Sequence, residues 1–146
     1  MNLNKDIKVL VVDDSVGIRL AAKKIMVNLG FNNTVVAEDG DVALEMLLKE
    51  PYDLVIADWN MPRMSGLELL VEMRKNEKIK DTPFLLATGD EEQETLVKAI
   101  KAGANYYMKK PYDAKILLER IEHIFEFRDK IKQRKETKKP VKPLPR

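Results

Sequence analysis

The chain has 146 residues, 45% apolar and 34% charged, which suits one compact domain with a buried core. No apolar run approaches the roughly 18 residues needed to span a bilayer, and the N-terminal stretch MNLNKDIKVLVVDD has no long apolar leader segment, so a cytoplasmic protein is expected. The absence of cysteine excludes disulfides and thiolate metal sites. A formal net charge of +2 conceals an asymmetry: residues 128–146 carry nine Lys/Arg and two acids, whereas residues 1–127 carry 17 basic and 22 acidic residues.

The first segment, IKVLVVDD, is a continuous apolar run ending in two acids. Runs of this kind suit strands covered on both faces, as in parallel sheets. SVGIRLAAKKIMVNLG follows as a helix: Ser15 caps it, Ile18, Ala22, Ile25 and Leu29 recur at helical spacing, and Gly30 ends it. TVVAED is the next strand and GDVALEMLLKEP the next helix, stopped before Pro51. YDLVIAD is a third strand. SGLELLVEMRKN is a helix with Leu67, Leu70 and Met73 on one side. TPFLLATGD reads as a strand, EEQETLVKAIKAGA as a helix ended by Gly103, NYYMKKP as a fifth strand and YDAKILLERIEHIFEFRDK as a long last helix. Ile124 and Ile131 stay in phase, so that helix has a reason to continue past Phe127. From about Gln133 the apolar pattern fades, and the basic, proline-containing KETKKPVKPLPR is expected to be disordered. The domain is therefore placed at residues 1–127 and the extension at 128–146.

Strand then helix, five times over, predicts an α/β fold with a parallel sheet and helices on both faces. In such sheets sites form at the carboxyl ends of the strands. The first strand ends at Asp13 and Asp14, the third at Asp58, the fourth at Thr88 and the fifth at Lys109 and Lys110. Singly, each is an ordinary turn, cap or solvated residue. Together they place three acids, a hydroxyl and an ammonium on one rim. Crowded carboxylates repel, and one would have to protonate unless a cation intervened. Mg2+ takes oxygen ligands and shares phosphate oxygens with a substrate. An aspartate can act as a nucleophile toward phosphorus, with the metal, Lys110 and Thr88 offsetting charge on the phosphoryl oxygens.

The segments VVDDS, DWNMPRMSGLELL, LLATGD and AGANYYMKKPYDA resemble the receiver domain of two-component response regulators, over about residues 5–127. The likeness is greatest to the single-domain chemotaxis regulators of that family, through LGFNNTVVAEDG and DWNMP. The resemblance implies a (βα)5 flavodoxin-like fold with sheet order 2-1-3-4-5. It implies that Asp58 is the phosphoacceptor, that Asp14 binds Mg2+ directly and Asp13 through water, and that Asn60 lends its backbone carbonyl. Lys110, which directly precedes Pro111, and Thr88 would contact the phosphoryl group, and the Lys110–Pro111 bond would be cis. Thr88 and Tyr107 would form the switch, with Tyr106 packed as core on the other face. Asn60 and Asp90 would tune dephosphorylation, and a polar pair there predicts a short-lived phosphoryl group. The phosphodonor would be a histidine kinase. The output partner would bind the fourth helix, fifth strand and fifth helix, with a flagellar motor switch as one such partner.

The chain departs from enteric chemotaxis regulators where GDEEQE replaces lysines, which makes that corner acidic through Glu91, Glu92 and Glu94. Trp59 is expected to be half exposed, and His123 to serve surface or packing. The basic extension is either solvated, or bound to an acidic protein or the output face, or in nonspecific contact with nucleic acid. Three other functions stay open: a phosphorelay intermediate, a constitutive interaction module, and an aspartyl-nucleophile phosphatase. The last lacks an acid at position 60. The expectation is a signalling protein that promotes its own phosphorylation and dephosphorylation.

Overall fold

The computed structural model describes residues 3–89 and 93–141, with side chains through Lys130. The elements follow in strict alternation: β1 (Val9–Val12), α1 (Val16–Asn28), β2 (Thr34–Ala37), α2 (Gly40–Lys49), β3 (Leu54–Asp58), α3 (Gly66–Lys75), β4 (Phe84–Thr88), α4 (Gln93–Ala102), β5 (Tyr106–Lys109) and α5 (Ala114–Val141). The strands are all parallel in the order β2-β1-β3-β4-β5. This is the flavodoxin-like architecture expected from the alternation and the resemblance.

The pleat divides each strand between two cores. Leu10, Val12, Val55 and Ala57 pack with α2, α3 and α4 through Leu47, Leu69, Leu70, Met73 and Ala99. Val9, Val11, Leu54 and Ile56 face the other way, onto Ala22 and Met26 of α1 and Leu117, Ile121 and Ile124 of α5. Burial on both faces explains why β1 and β3 are unbroken apolar runs. Ser15 caps α1, its hydroxyl accepting from the Ile18 N–H at 3.3 Å. Gly30 follows that helix at φ 101°, a left-handed conformation natural to glycine.

Three expectations change. Ile18 is 38% exposed rather than in the core, and the inward stripe of α1 is Ala22 and Met26. Ile18 lies in the first turn, where it lines a surface groove with Pro111 and Tyr112. Trp59 is buried, not half exposed, because the alternation Val55, Ala57, Trp59 carries one residue beyond the strand into the α2–α3 core. α5 runs on past Phe127, as the phase of Ile124 and Ile131 gave reason to expect, and is helical to Val141, into the stretch from about Gln133 that was expected to be disordered. Arg, Lys, Gln and Glu are good helix formers, and Pro140 is the first proline after Pro111.

Arg74 ties the end of α3 to two loops. Its guanidinium donates to the carbonyls of Lys80 (3.0 Å), Thr82 (2.7 Å) and Gly103 (2.8 Å), and to Asn105 Oδ1 (3.1 Å). Arg74→Met keeps the apolar stem and leaves those acceptors without their donor. Urea unfolding should show a loss of about 2–4 kcal/mol.

Candidate metal centre

Sheet register creates the site. Val12 pairs with Ala57, so the next residues, Asp13 and Asp58, emerge side by side at the carboxyl edge. Asp58 pairs with Ala87 and Thr88 with Lys109, which brings Thr88 and Lys110 to the same edge. The Lys110 N–H donates to the Thr88 carbonyl at 2.9 Å, and the Lys110–Pro111 bond is cis.

Asp13, Asp14 and Asp58 each offer a carboxylate oxygen within 4.8 Å of the others. Asp13 is buried, Asp58 half buried and Asp14 exposed. Lys110 Nζ lies 2.6 Å from Asp13 Oδ2 and 3.4 Å from Asp58 Oδ2, so one ammonium bridges the acids of two strands. Asp13 is further fixed by the Ser15 N–H, which donates to Oδ1 at 2.9 Å, and by Arg19, whose Nη1 donates to the Asp13 carbonyl at 2.8 Å. Thr88 is buried at the end of β4.

Burial pushes the Asp58 carboxyl above its ordinary value, and the negative charge of Asp13 adds to this, against the opposing pull of Lys110 and the Trp59 N–H. Burial and the Asp13 charge likewise push the Tyr112 hydroxyl up to about 12. One ammonium faces three carboxylates, so the count of charges alone leaves the cluster negative. An all-oxygen donor set with excess negative charge fits a hard divalent cation such as Mg2+. Asp13, Asp14 and Asp58 would hold it, with Asn60, exposed in the loop after β3, within the same segment.

That loop is pinned at several points. The Gly66 N–H donates to the Trp59 carbonyl at 2.9 Å, and a Cβ at Gly66 would stand 2.2 Å from the Asp58 carbonyl oxygen, so only glycine fits. Ser65 and Glu68 form a reciprocal capping box on α3. Gly40 at the start of α2 abuts Met64, and Arg63 pairs with buried Asp39. The S-x-x-E spacing at 65–68 is readable as a cap in the sequence. The Arg63–Asp39 pair left no such signal, because it joins loops after different strands.

Among the other expected residues, Tyr107 is 36% exposed and lies away from the carboxylates, lining a groove with Leu96, Val97 and Ile100 of α4. Tyr106 is partly buried against the α1–α5 core and packs against His123, ring centres 4.6 Å apart and tilted by 47°, with Arg120 over its face. His123 is thus a packing residue at the surface of α5. Lys109 is exposed. Asp90, Glu91 and Glu92 lie outside the described residues.

The chain matches the response regulator receiver domain model over residues 9–122. It is 44% identical to chemotaxis protein CheY-3 of Vibrio cholerae over 124 residues, covering 85% of this chain and 95% of that one. It is 42% identical to chemotaxis protein CheY of Pseudomonas aeruginosa over 119 residues, covering 82% and 96%. The solved structure of Vibrio cholerae CheY4 superposes with a TM-score of 0.76 at 32% identity, covering 81% of this chain and 98% of that one.

The raised Asp58 pKa has a definite sign in stability. The folded protein holds the Asp58 proton more tightly than the unfolded chain does. Stability is therefore lost as pH rises from the ordinary 3.8 through the raised value. In metal-free protein at pH 7, Asp58→Asn should raise the thermal midpoint by a few degrees. The gap to wild type should close below that window, as followed by circular dichroism.

Proposed function

We propose, from the premise that this chain belongs to the response regulator receiver domain family, that it is a phosphorylation-switched signalling module with Asp58 as phosphoacceptor. The observation that carries this reading is the convergence of three carboxylates within 4.8 Å under a single bridging lysine. When bound, Mg2+ supplies the positive charge that lets the three acids coexist and draws phosphoryl oxygens to the same point.

In the forward step a carboxylate oxygen of Asp58 attacks phosphorus. One P–O bond forms while the bond from phosphorus to the donor's histidine nitrogen, or to the acyl oxygen of a small donor, breaks. The departing group keeps that bond's electron pair: a histidine nitrogen takes up a proton from solvent, whereas an acyl donor leaves as its carboxylate and needs none. Lys110 Nζ, already 3.4 Å from Asp58, turns its charge to a phosphoryl oxygen, and the Thr88 hydroxyl at the next strand end donates to another. Loss of the phosphoryl group is attack by water from the exposed side, past Asn60. A histidine kinase is the donor, since His123, the chain's one histidine, is engaged in packing on Tyr106.

Output follows from a two-state response. Thr88 drawn toward the phosphoryl group opens space that Tyr107 fills by leaving its exposed position against α4. The surface it alters carries Val97 at 41% and Ile100 at 51% exposure, an apolar face suited to a partner protein. The chemotaxis relatives make a motility component the partner of choice, in the cytoplasm. Among the described residues no helix is long and apolar enough to cross a membrane.

Incubation with Mg2+ and acetyl phosphate should add one phosphoryl group by mass, absent in Asp58→Asn and reduced at least tenfold in rate in Lys110→Ala. Steady turnover of phosphomonoesters would instead indicate a phosphatase. No added mass would indicate a constitutive interaction module.

A further inference from the structure

The loop between β3 and α3 follows Asp58 and contains Asn60, the residue whose backbone carbonyl the family resemblance assigns to the cation. Five residues after Asp58, Arg63 holds φ at 64°, the one non-glycine residue among those described with a positive φ. A left-handed arginine is uncommon and persists only where surrounding contacts determine it. Those contacts are in place. Arg63 Nη2 lies 2.5 Å from Asp39 Oδ2, and the Asp39 side chain is only 3% exposed. Asp39 is itself fixed, because its Oδ1 accepts the Val42 N–H at 3.0 Å as the N-cap of α2. Beside the pair, a Cβ on Gly40 would come within 2.7 Å of the Met64 carbonyl oxygen, so the loop lies directly on the start of α2.

The consequence is mechanical. One end of the loop is anchored by β3, the other by the Ser65 cap of α3, and its middle by an ion pair to a different helix. We infer that Arg63 is a positioning residue for the cation site, its ion pair with Asp39 clamping the 59–65 loop so that its backbone is preset for the metal. The inference rests on the cation reading of Asp13, Asp14 and Asp58. It differs from a simple charge effect in sign. As a bare positive charge beside an acidic site, Arg63 would weaken cation binding, and its removal would tighten it. As a clamp, its removal lets the loop sample other conformations, and binding weakens.

The test is Mg2+ titration of the full chain by calorimetry, with the unfolding midpoint of each variant recorded in the absence of metal. Asp39→Asn keeps a capping side chain for α2 while removing the charge. Arg63→Gly removes the pair and relieves the left-handed backbone. Both are expected to raise the Mg2+ dissociation constant about tenfold, the low end for residues that orient metal ligands. Arg63→Lys should stay within about twofold of wild type, and Arg63→Ala with Asp39→Asn should be no worse than either alone. Arg63→Gly separates positioning from folding, since its midpoint should change little while its affinity drops. Unchanged or tighter Mg2+ binding in Arg63→Gly and Asp39→Asn, with wild-type binding intact, overturns the clamp and leaves the cation site standing. Absence of Mg2+ binding by the wild-type protein overturns both.

Discussion

Negative charge packed faster than it can be neutralised is the constraint on which the rest of this structure depends. Asp13 and Asp58 leave adjacent parallel strands in register, and Asp14 joins them within 4.8 Å. Lys110 reaches two of the three, yet the Asp58 carboxyl still sits above its ordinary value, with burial outweighing the attraction of the ammonium. A site in this condition has a standing demand for positive charge. A divalent cation would meet it in part, and Asp13, Asp14 and Asp58 are the residues that would hold it.

The scaffold keeps that demand from being relaxed by movement. Strands buried on both faces hold Asp13 and Asp58 at fixed spacing, since a slip in register would unseat two cores at once. Gly66 lets α3 start hard against the Asp58 carbonyl, and the capping box at Ser65 and Glu68 secures the helix end beneath it. By contrast, Tyr107 stands exposed beside the apolar side chains of α4. The carboxylates thus sit at an edge fixed by two cores, and the partly exposed apolar side chains lie at the α4–β5 side.

What the sequence disclosed and what it hid divide along physical lines. The apolar runs and their alternation with helices were legible because the central strands β1, β3 and β4 are covered on both faces, and five strand ends at one edge followed from parallel connection. The acids were legible for the same reason. Trp59 was misplaced because Asp58 seemed to end the strand pattern, although Val55, Ala57 and Trp59 continue the period of two into the core. Ile18 was misplaced because helical spacing gives phase but not where the covering layer stops. Helix from about Gln133 to Val141 was hidden by composition, since charge and proline content speak of solvation while intrinsic propensity favours helix. The Arg63–Asp39 contact could not be read at all, because neither a left-handed arginine nor a pairing across 24 positions leaves a local pattern.

The most direct test of this electrostatic account places the ion itself. Mn2+, a paramagnetic stand-in for Mg2+, can be titrated into isotope-labelled protein while amide resonances are followed. The account predicts broadening centred on residues 13–14, 58–60 and 110, competed away by Mg2+ and absent when Asp13 and Asp14 are both changed to Asn. Broadening centred on another part of the surface, or none at millimolar ion, would contradict it.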